Sequence, residues 1–377
     1  MSTSPDLHIL ILSSWYPTLD HPFLGNFVQR QATILSEKYK VTVVHTVPLD
    51  DQKEIEISQK TNHNLTEVYA KHPKGSHVFS RRKQRLKALD LALKQIEKPD
   101  LIHGQIILPN GYLFVAAKDY FGCPLIVTEH GSYYRPGRKN KLSLKEKYVL
   151  QLIKKYADRL IAVSSFLNED MASIFGDKKI SVIGNPVNTE LFRPNSQKHI
   201  SNAHFIHVST LDPQIKNVPG ILEAMSLLVQ KGYEEVRLTI VSDENYEHIA
   251  DKVSSMGLNR YVNFAGPLSS EELLDYYQKS TALVMFSHYE TFSIVIAEAW
   301  ASGIPVISTP VGIAAEMSEE AGILVKDNDP LSLAMAMEKI INDLPFDPLT
   351  IRKEALNYTE EVFLHSISEI YYAALQN

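Results

Sequence analysis

The sequence predicts an α/β fold of two doubly wound domains, each a parallel sheet with helices on both faces. Short apolar runs of strand type alternate with helical patterns almost from end to end. A segment with two prolines and two asparagines, 185–194, interrupts this alternation near the middle. The 377 residues suit two domains of about 150 to 200 residues each.

The predicted strands divide evenly between the two halves. In the first half they are 8–14, 41–47, 100–104, 125–129, 159–164 and 180–184. In the second half they are 204–209, 237–242, 262–265, 282–286, 305–308 and 322–325. The resulting domains are 1–190 and 191–357, with 358–377 as a helix that returns to the first domain. Parallel sheets bind ligands beyond the carboxyl ends of their strands, so facing domains predict a site in the cleft between them.

Several function classes lack their signatures. Neither half has Gly-x-Gly-x-x-Gly after its first strand, and no P-loop or Gly-x-Ser-x-Gly motif occurs, which argues against nicotinamide, P-loop and α/β-hydrolase chemistry. The single cysteine, Cys123, excludes an internal disulfide and a multi-cysteine zinc site, and its apolar neighbours predict a core position. The apolar run 8–12 is too short for a signal peptide or a membrane span, so we expect a cytoplasmic protein.

The stretch 286–303 carries the most chemical information. It reads as the end of a strand, a polar loop, a short helix from about Ser293 and a stop at Gly303, followed by a buried strand. The start of such a helix has free backbone N–H groups and a positive dipole end, which suit a diphosphate. Glu290 lies in the loop. Glu298 lies within the apolar helix and needs partners there: ribose hydroxyls, a neighbouring backbone group or a basic side chain.

These residues resemble the donor site of retaining family 4 glycosyltransferases, also called glycosyltransferase group 1. The resemblance rests on Glu290-x7-Glu298, with Ser287 before it and Ala299-x-Ala-x-Gly-x-Pro-Val-Ile307 after it. It extends to the interdomain segment 183–194, the glycine-containing turn 311–316 and Glu129-His130-Gly131, in the correct order from about residue 8 to the C-terminus.

The resemblance implies a GT-B fold and retaining transfer of a hexose-type sugar from a UDP- or GDP-sugar to a saccharide or lipid-linked acceptor, in cell-surface glycan assembly. It implies catalytic roles for Glu290, His130 and Lys216, with His130 beside the transferred sugar and Lys216 on the phosphates. The implied donor-binding residues are Glu298 at the ribose, Ser287, Thr291, Phe292, Ser293, Gly25 and Thr210.

Two departures from the family pattern bear on the diphosphate. Thr210 stands where the family carries an arginine, so one expected cation is missing, and Arg135 and Arg138 on the acceptor side are its candidate replacements. The family also has glycines at the positions of Thr291 and Ser293. The Ser293 hydroxyl is therefore a candidate helix cap or phosphate ligand.

Three further features each have a structural and a functional interpretation. Gly25 either opens a helix or lets the backbone approach the donor phosphates. His103 either contacts the acceptor or is a hydrogen-bonded core histidine. Asp327-Asn-Asp329 has the form of a metal motif, but Asp329 as N-cap before Pro330 explains it, so we predict no metal and no other cofactor.

Basic residues outnumber acidic ones up to Phe192, and the reverse holds beyond it. The excess concentrates in 81–87 and 135–155, where apolar residues are interleaved at helical spacing. Either these are solvated faces of ordinary helices or they bind an anionic membrane surface, which would make the protein peripheral at the inner face. No nucleic-acid-binding motif accompanies the charge. Two rival functions remain open: a GT-B sugar-nucleotide epimerase, and a non-catalytic nucleotide-binding member.

Overall fold

A computed structural model describes residues 7–135, 137–195, 203–343 and 345–376. The chain divides into two compact units. The first unit consists of Met1–Val163, Leu167–Ile183 and Leu364–Asn377, and the second of Ser164–Phe166 and Gly184–Phe363. The predicted boundaries at 190 and 357 therefore lie seven and six residues from the observed changes of unit at 183 and 363.

The first unit is built on one eight-stranded sheet in the order β3-β4-β2-β1-β5-β6-β7-β8. All of its pairings are parallel except that between β3 and β4. Its strands are β1 (His8–Ser13), β2 (Lys40–Leu49), β3 (Glu56–Asn62), β4 (Leu65–Pro73), β5 (Leu101–Gln105), β6 (Leu125–Glu129), β7 (Arg159–Ala162) and β8 (Ile180–Val182). The helices here are α1 (Asn26–Ser36), α2 (Val78–Leu93), α3 (Tyr112–Phe121), α4 (Leu144–Tyr156) and α5 (Ser165–Phe175).

The second unit has a six-stranded, entirely parallel sheet in the order β11-β10-β9-β12-β13-β14. Its strands are β9 (His204–Val208), β10 (Arg237–Val241), β11 (Val262–Ala265), β12 (Ala282–Met285), β13 (Val306–Ser308) and β14 (Gly322–Leu324). Its helices are α6 (Val218–Gln230), α7 (Glu247–Ser255), α8 (Ser270–Lys279), α9 (Ile294–Ala301), α10 (Pro330–Asn342) and α11 (Pro348–Ala355), and α12 (Glu360–Leu375) follows.

Local chemistry explains where several of these helices begin. Asn217 caps α6 by accepting a hydrogen bond from the Gly220 N–H, and Ser269 caps α8 in a reciprocal arrangement with Glu272. The structural interpretation of 327–329 is confirmed, because Asp329 accepts from the Ser332 N–H at the start of α10 and Pro330 is the first helical residue.

The segment 185–194, predicted as a linker, belongs to the second unit. Phe192 is buried, and the Arg352 guanidinium donates to the carbonyl oxygens of Thr189 and Phe192 at 2.7 and 2.8 Å. Val187 pairs with Thr359 in an isolated parallel bridge. These backbone groups of the segment 185–194 therefore have their partners within the second unit.

Both sheets have the same kind of topological switch point. In the first, β1 is flanked by β2 and β5, and in the second β9 is flanked by β10 and β12. The chain therefore turns outward in opposite directions at the β1/β5 and β9/β12 positions. The loops that leave such strands diverge and open a crevice at the carboxyl end of the sheet.

Candidate active site

The second unit brings Lys216, Ser287 and Glu290 together at the β9/β12 switch point. The loop after β9 carries Lys216, and the loop after β12 carries Glu290. The two loops are joined by a hydrogen bond from the His288 N–H to the Ile215 carbonyl, at 2.7 Å. Lys216 and Glu290 are 74 positions apart in the sequence. They nevertheless lie together at the carboxyl end of the sheet, where parallel sheets bind ligands.

Glu290 and Lys216 form a nearly buried ion pair. Lys216 Nζ lies 2.7 Å from Glu290 Oε1, with 15% and 8% of the two side chains exposed. Ser287 Oγ donates to the same oxygen at 2.8 Å. Both hydrogen bonds end on Oε1, so Oε2 remains available to accept a hydrogen bond from a ligand.

The turn that leads into α9 has a special backbone. Ser293 has φ +73°, the left-handed region that favours glycine, and this accounts for the glycine in the family pattern at this position. The Ser293 side chain makes no capping hydrogen bond, so of its two candidate roles the helix cap is not observed. Its Oγ is buried and has no partner among the described residues.

Gly312 packs directly against this turn. Its φ is +57°, and a Cβ placed on it would lie 2.7 Å from the Phe292 carbonyl oxygen. The next residue, Ile313, donates its N–H to that same oxygen at 3.1 Å. The Phe292 ring is buried and packs edge-on against Tyr358. The Thr291 carbonyl accepts from Ser164 Oγ at 2.5 Å.

Glu298 lies on the second turn of α9 and is 8% exposed. Tyr277 Oη on α8 lies 3.4 Å from Glu298 Oε2 and 3.3 Å from the Val295 carbonyl oxygen. Burial, reinforced by the Glu298 charge, raises the pKa of Tyr277 well above its ordinary value, so the phenol stays a hydrogen-bond donor. The neighbouring group that Glu298 required is thus a tyrosine, which the sequence analysis missed because it lies 21 residues away.

Thr210 is exposed and is the second residue of the loop after β9. The residues around it are held by Ser209 Oγ, which accepts from the Leu211 N–H at 3.1 Å and contacts His207 Nε2 at 2.8 Å. Burial, with a smaller effect from Lys216, lowers the pKa of His207 to about 4, so this imidazole is neutral at pH 7. It therefore does not supply the missing cation.

In the first unit, Glu129 organises the loop that carries His130. Its carboxylate is fully buried and accepts from the N–H groups of Ile107, His130 and Gly131 and from Tyr134 Oη at 2.6 to 3.2 Å. Burial outweighs these four donors and raises its pKa. The loop is therefore fixed at the carboxyl end of β6.

His130 is 7% exposed. Its Nε2 lies 2.8 Å from Gln105 Oε1, and its ring lies 4.7 Å from the Phe27 ring between centroids. Nδ1 is buried without a partner in the described parts of the chain, an arrangement that costs about 1 to 3 kcal/mol. Burial, with a smaller effect from His103, lowers the pKa of His130 to about 3.

His103 has the environment of a core histidine. It is fully buried, with Nδ1 2.7 Å from Tyr371 Oη of α12 and Nε2 2.7 Å from Thr128 Oγ1. Burial lowers its pKa to about 3. With both nitrogens occupied and no exposed surface, this ring does not contact a ligand directly.

The remaining predicted residues of the first unit are held by local contacts. Arg138 pairs with Glu146 of α4 at 2.8 Å and lies over the Tyr133 ring of its own loop. Arg135 is half-buried at the start of that loop. Gly25 has φ +74°, and a Cβ on it would lie 2.5 Å from the Trp15 carbonyl. The structural interpretation is sufficient for Gly25.

Within the described residues, no group of three or more His, Cys, Asp or Glu side chains is arranged to hold a metal ion. Over the same residues, no helix combines the length and apolar character needed to cross a bilayer. Asp327, from the predicted metal-like motif, pairs with His288 at 2.7 Å.

Comparison with protein families gives two adjacent matches. The model described as Glycosyltransferase Family 4 matches residues 24–191, and the one described as Glycosyl transferases group 1 matches residues 202–343. Among curated relatives, D-inositol 3-phosphate glycosyltransferase of Corynebacterium diphtheriae is 25% identical over 65% of this chain and 63% of its own length. Glycogen synthase of Mycobacterium tuberculosis is 25% identical over 71% of this chain and 66% of its own length. The match thus spans just under two thirds of these two relatives.

Solved structures resemble the whole chain. Sucrose-phosphate synthase from Thermosynechococcus elongatus superposes with a TM-score of 0.79 at 19% identity, covering 97% of this chain and 98% of that one. Anabaena HepE, solved with UDP and glucose, superposes with a TM-score of 0.74 at 17% identity, covering 97% of this chain and 100% of that one. At these identities the likeness establishes the fold, which is GT-B. Since the two family models together span both units in order, the chain belongs to the group 1, family 4 glycosyltransferases.

Proposed function

We propose that this chain transfers a hexose-type sugar, with retention, from a UDP- or GDP-sugar to a saccharide or lipid-linked acceptor in cell-surface glycan assembly. The observation that carries this proposal is the Glu290–Lys216 pair at the β9/β12 switch point. A buried carboxylate with one oxygen held and the other available suits a sugar hydroxyl. A lysine beside a helix N-terminus suits a diphosphate.

The donor occupies the second unit in this proposal. Glu298 accepts from the ribose hydroxyls, with Tyr277 fixing one of its oxygens. Lys216 and the first amides of α9 receive the diphosphate, and Glu290 receives the sugar. Lys216 exchanges its bond with Glu290 for phosphate oxygens as the donor enters. The missing arginine leaves Lys216 as the main cation of this unit's site.

The relatives support a nucleotide-sugar donor. HepE has been solved with UDP and with UDP-glucose, and the curated relatives are named as glycosyltransferases and glycogen synthases. No relative is named as an epimerase among those cited here. The acceptor is set by the loops of the first unit, which fold likeness does not identify.

A panel of nucleotide sugars tests the proposal directly. A true donor raises the melting temperature, because a ligand that binds only the folded state stabilises it. Incubating that donor with candidate acceptors then gives a new glycoside with the donor's anomeric configuration, readable by proton NMR. An altered sugar without acceptor identifies an epimerase, and binding without turnover identifies a non-catalytic member.

Glu290→Gln tests the proposed sugar contact. We expect a loss of roughly 100-fold in kcat/KM, the scale of one electrostatic contact to the reacting centre. The matched control is Glu338→Gln, which removes the carboxylate of a Lys231 pair elsewhere in the second unit and leaves transfer unchanged. Full activity of Glu290→Gln would remove this residue from the mechanism.

No divalent metal is required in this proposal, because Lys216 and the α9 amides neutralise the leaving diphosphate. Activity measured in excess EDTA should equal that without chelator. Loss of activity that Mn²⁺ or Mg²⁺ restores would contradict this assignment.

We also propose that the first unit binds an anionic membrane surface at the inner face of the membrane. The two predicted basic segments meet, since the Arg82 guanidinium lies 5.0 Å from the Tyr112 ring centre and 5.6 Å from that of Tyr148. Beside these contacts, Phe79 is 83% and Leu144 is 86% exposed. Exposed apolar side chains among cations match the interface of an anionic bilayer.

The structure assigns only part of the predicted basic segment 135–155 to this surface. Val149, Leu150 and Ile153 are buried, so the inner face of α4 is ordinary core. Pro136 and the Lys139 side chain of the predicted 135–155 patch lie outside the described residues. The surface therefore consists of the first turns of α2 and α4.

Vesicle flotation tests this surface. Wild-type protein should float with anionic vesicles at low salt, and Phe79→Ser combined with Leu144→Ser should abolish flotation. A control with Leu331→Ser and Leu349→Ser, exposed leucines of the second unit, should float like wild type. Equal flotation of all three proteins, or none at all, would refute the assignment.

A further inference from the structure

Gln105 joins His130 to the core of the first unit. It is the last residue of β5 and is fully buried. Its amide nitrogen donates to Gln31 Oε1 at 3.1 Å and lies 3.3 Å from His103 Nε2. Its amide oxygen is therefore the atom that faces His130 Nε2, at 2.8 Å.

The chemistry of this contact selects one tautomer of His130. An amide oxygen only accepts hydrogen bonds, so His130 Nε2 must carry the proton. A neutral ring protonated on Nε2 has a bare lone pair on Nδ1. Nδ1 is thus a hydrogen-bond acceptor that is buried and has no partner in the part of the chain that the structure describes.

The ring is also fixed in place. The neighbouring backbone is held by Glu129, which accepts from the N–H groups of His130 and Gly131, and Phe27 packs against the ring. Among the described residues, His103 on β5 is the titratable group that acts on the ring, and Glu129 of its own loop binds the His130 backbone N–H. The lone pair of Nδ1 therefore has a defined direction.

We propose that Gln105 is a positioning residue, which holds His130 in the Nε2–H tautomer so that Nδ1 accepts a hydrogen bond from a hydroxyl of the bound sugar substrate. The identity of this ligand rests on the proposed function, whereas the tautomer does not. In this arrangement His130 orients a hydroxyl and does not donate a proton.

Nitrogen NMR of ¹⁵N-histidine-labelled protein without ligand tests the tautomer, with His130 assigned by its absence in His130→Gln. We expect a proton on Nε2, a bare Nδ1 and no titration from pH 8 to pH 5. Gln105→Met removes the acceptor and should give a mixture of tautomers. Gln105→Glu keeps an acceptor and should keep the Nε2 proton. Thr42→Val, which breaks a buried threonine–histidine bond to His8 in the same sheet, should leave the His130 signal unchanged.

A wild-type ring protonated on Nδ1, or an unchanged His130 spectrum in Gln105→Met, would overturn the positioning role whatever the enzyme's activity. With the donor from the nucleotide-sugar panel, Gln105→Met should lower kcat/KM by roughly 10-fold, the size of one misdirected hydrogen bond. Gln105→Glu should recover part of this loss. An Nε2–H tautomer in a protein that binds no nucleotide sugar would refute the proposed function and leave the role of Gln105 intact.

Discussion

Ser293 keeps a left-handed backbone at the start of α9 although it is not glycine. For a residue with a Cβ this conformation costs about 1 to 2 kcal/mol. The hydroxyl adds a buried oxygen without a partner among the described residues. Strain and an unsatisfied oxygen thus coincide at the helix end that we assign to the diphosphate, a setting in which such costs are retained for function.

Ser293→Gly should therefore stabilise the second unit. We expect a gain of about 1 kcal/mol after subtraction of the extra freedom of glycine in the unfolded chain, or roughly 2 to 4 °C in Tm. Scanning calorimetry provides the measurement. The control Ser226→Gly, inside α6 at ordinary helical geometry, should lower Tm instead. A lower Tm for Ser293→Gly would show that the serine hydroxyl contributes a stabilising contact.

For single residues, the sequence predicted which positions carry candidate site residues better than it predicted their partners. Glu290, Ser287 and Glu298 were predicted from spacing and resemblance, and the structure joins Ser287 to Glu290 by a hydrogen bond. The Lys216–Glu290 pair and the Tyr277–Glu298 contact were not predicted, because they depend on which loops meet in three dimensions. His103 shows the same limit, since its partner Tyr371 lies 268 residues away.

Among the elements, the buried parallel strands were predictable and the polar hairpin was not. All twelve predicted strands correspond to observed ones, with ends shifted by up to two residues. β3 and β4 were missed. β3 is largely exposed and polar, so it shows no alternation of buried and exposed residues. It pairs only with β4, as the antiparallel edge of the first sheet, where pairing rather than apolar burial defines the strand.

The contacts of helix α12 with the first unit predict the effect of a substitution on stability. Tyr371 is fully buried, with its hydroxyl 2.7 Å from His103 Nδ1, and Ser368 accepts from Tyr39 Oη at 2.7 Å. Tyr371→Phe keeps the ring and leaves the buried imidazole nitrogen unsatisfied, so we expect a loss of about 1 to 3 kcal/mol. Urea unfolding measures this loss. Tyr372→Phe, at a 41% exposed neighbour, is the control and should leave stability unchanged within about 0.5 kcal/mol. Equal stabilities of the two variants would show that the buried hydroxyl contributes nothing.

For the whole molecule, buried histidines predict uneven acid sensitivity. Burial lowers the pKa of five described histidines in the first unit and two in the second: His8, His45, His72, His103 and His130, against His204 and His207. These groups bind protons more readily when unfolded. The stability that the neutral, buried histidines contribute is therefore fully present above pH 6.5. It is lost as the pH falls towards their pKa values in the folded protein, which are about 3 to 4 for His45, His103, His130 and His207.

Each of the histidines with a folded pKa of about 3 to 4, which are His45, His103, His130 and His207, removes up to about 1.4 kcal/mol per pH unit once the pH is well below 6.5. Calorimetry from pH 7 to pH 5 should therefore show the first unit losing stability more steeply than the second. Replacing His103 by Gln, which does not titrate, should reduce that slope. His365→Gln, at an exposed histidine, serves as the control and should leave the slope unchanged. Equal slopes for both units would contradict the expectation.

The division of the first unit into distant segments also affects how the protein is made. Its sheet can form early in translation, but Leu364–Asn377 leaves the ribosome only after the whole second unit. Until then Tyr39 Oη and His103 Nδ1 lack their α12 partners, and the surface that later receives Ile367 and Tyr371 is open. The second unit, by contrast, is complete once Phe363 has been released. In a nascent chain the second unit can therefore be folded while the first unit still lacks α12. We expect chaperones to bind the apolar surface that α12 later covers.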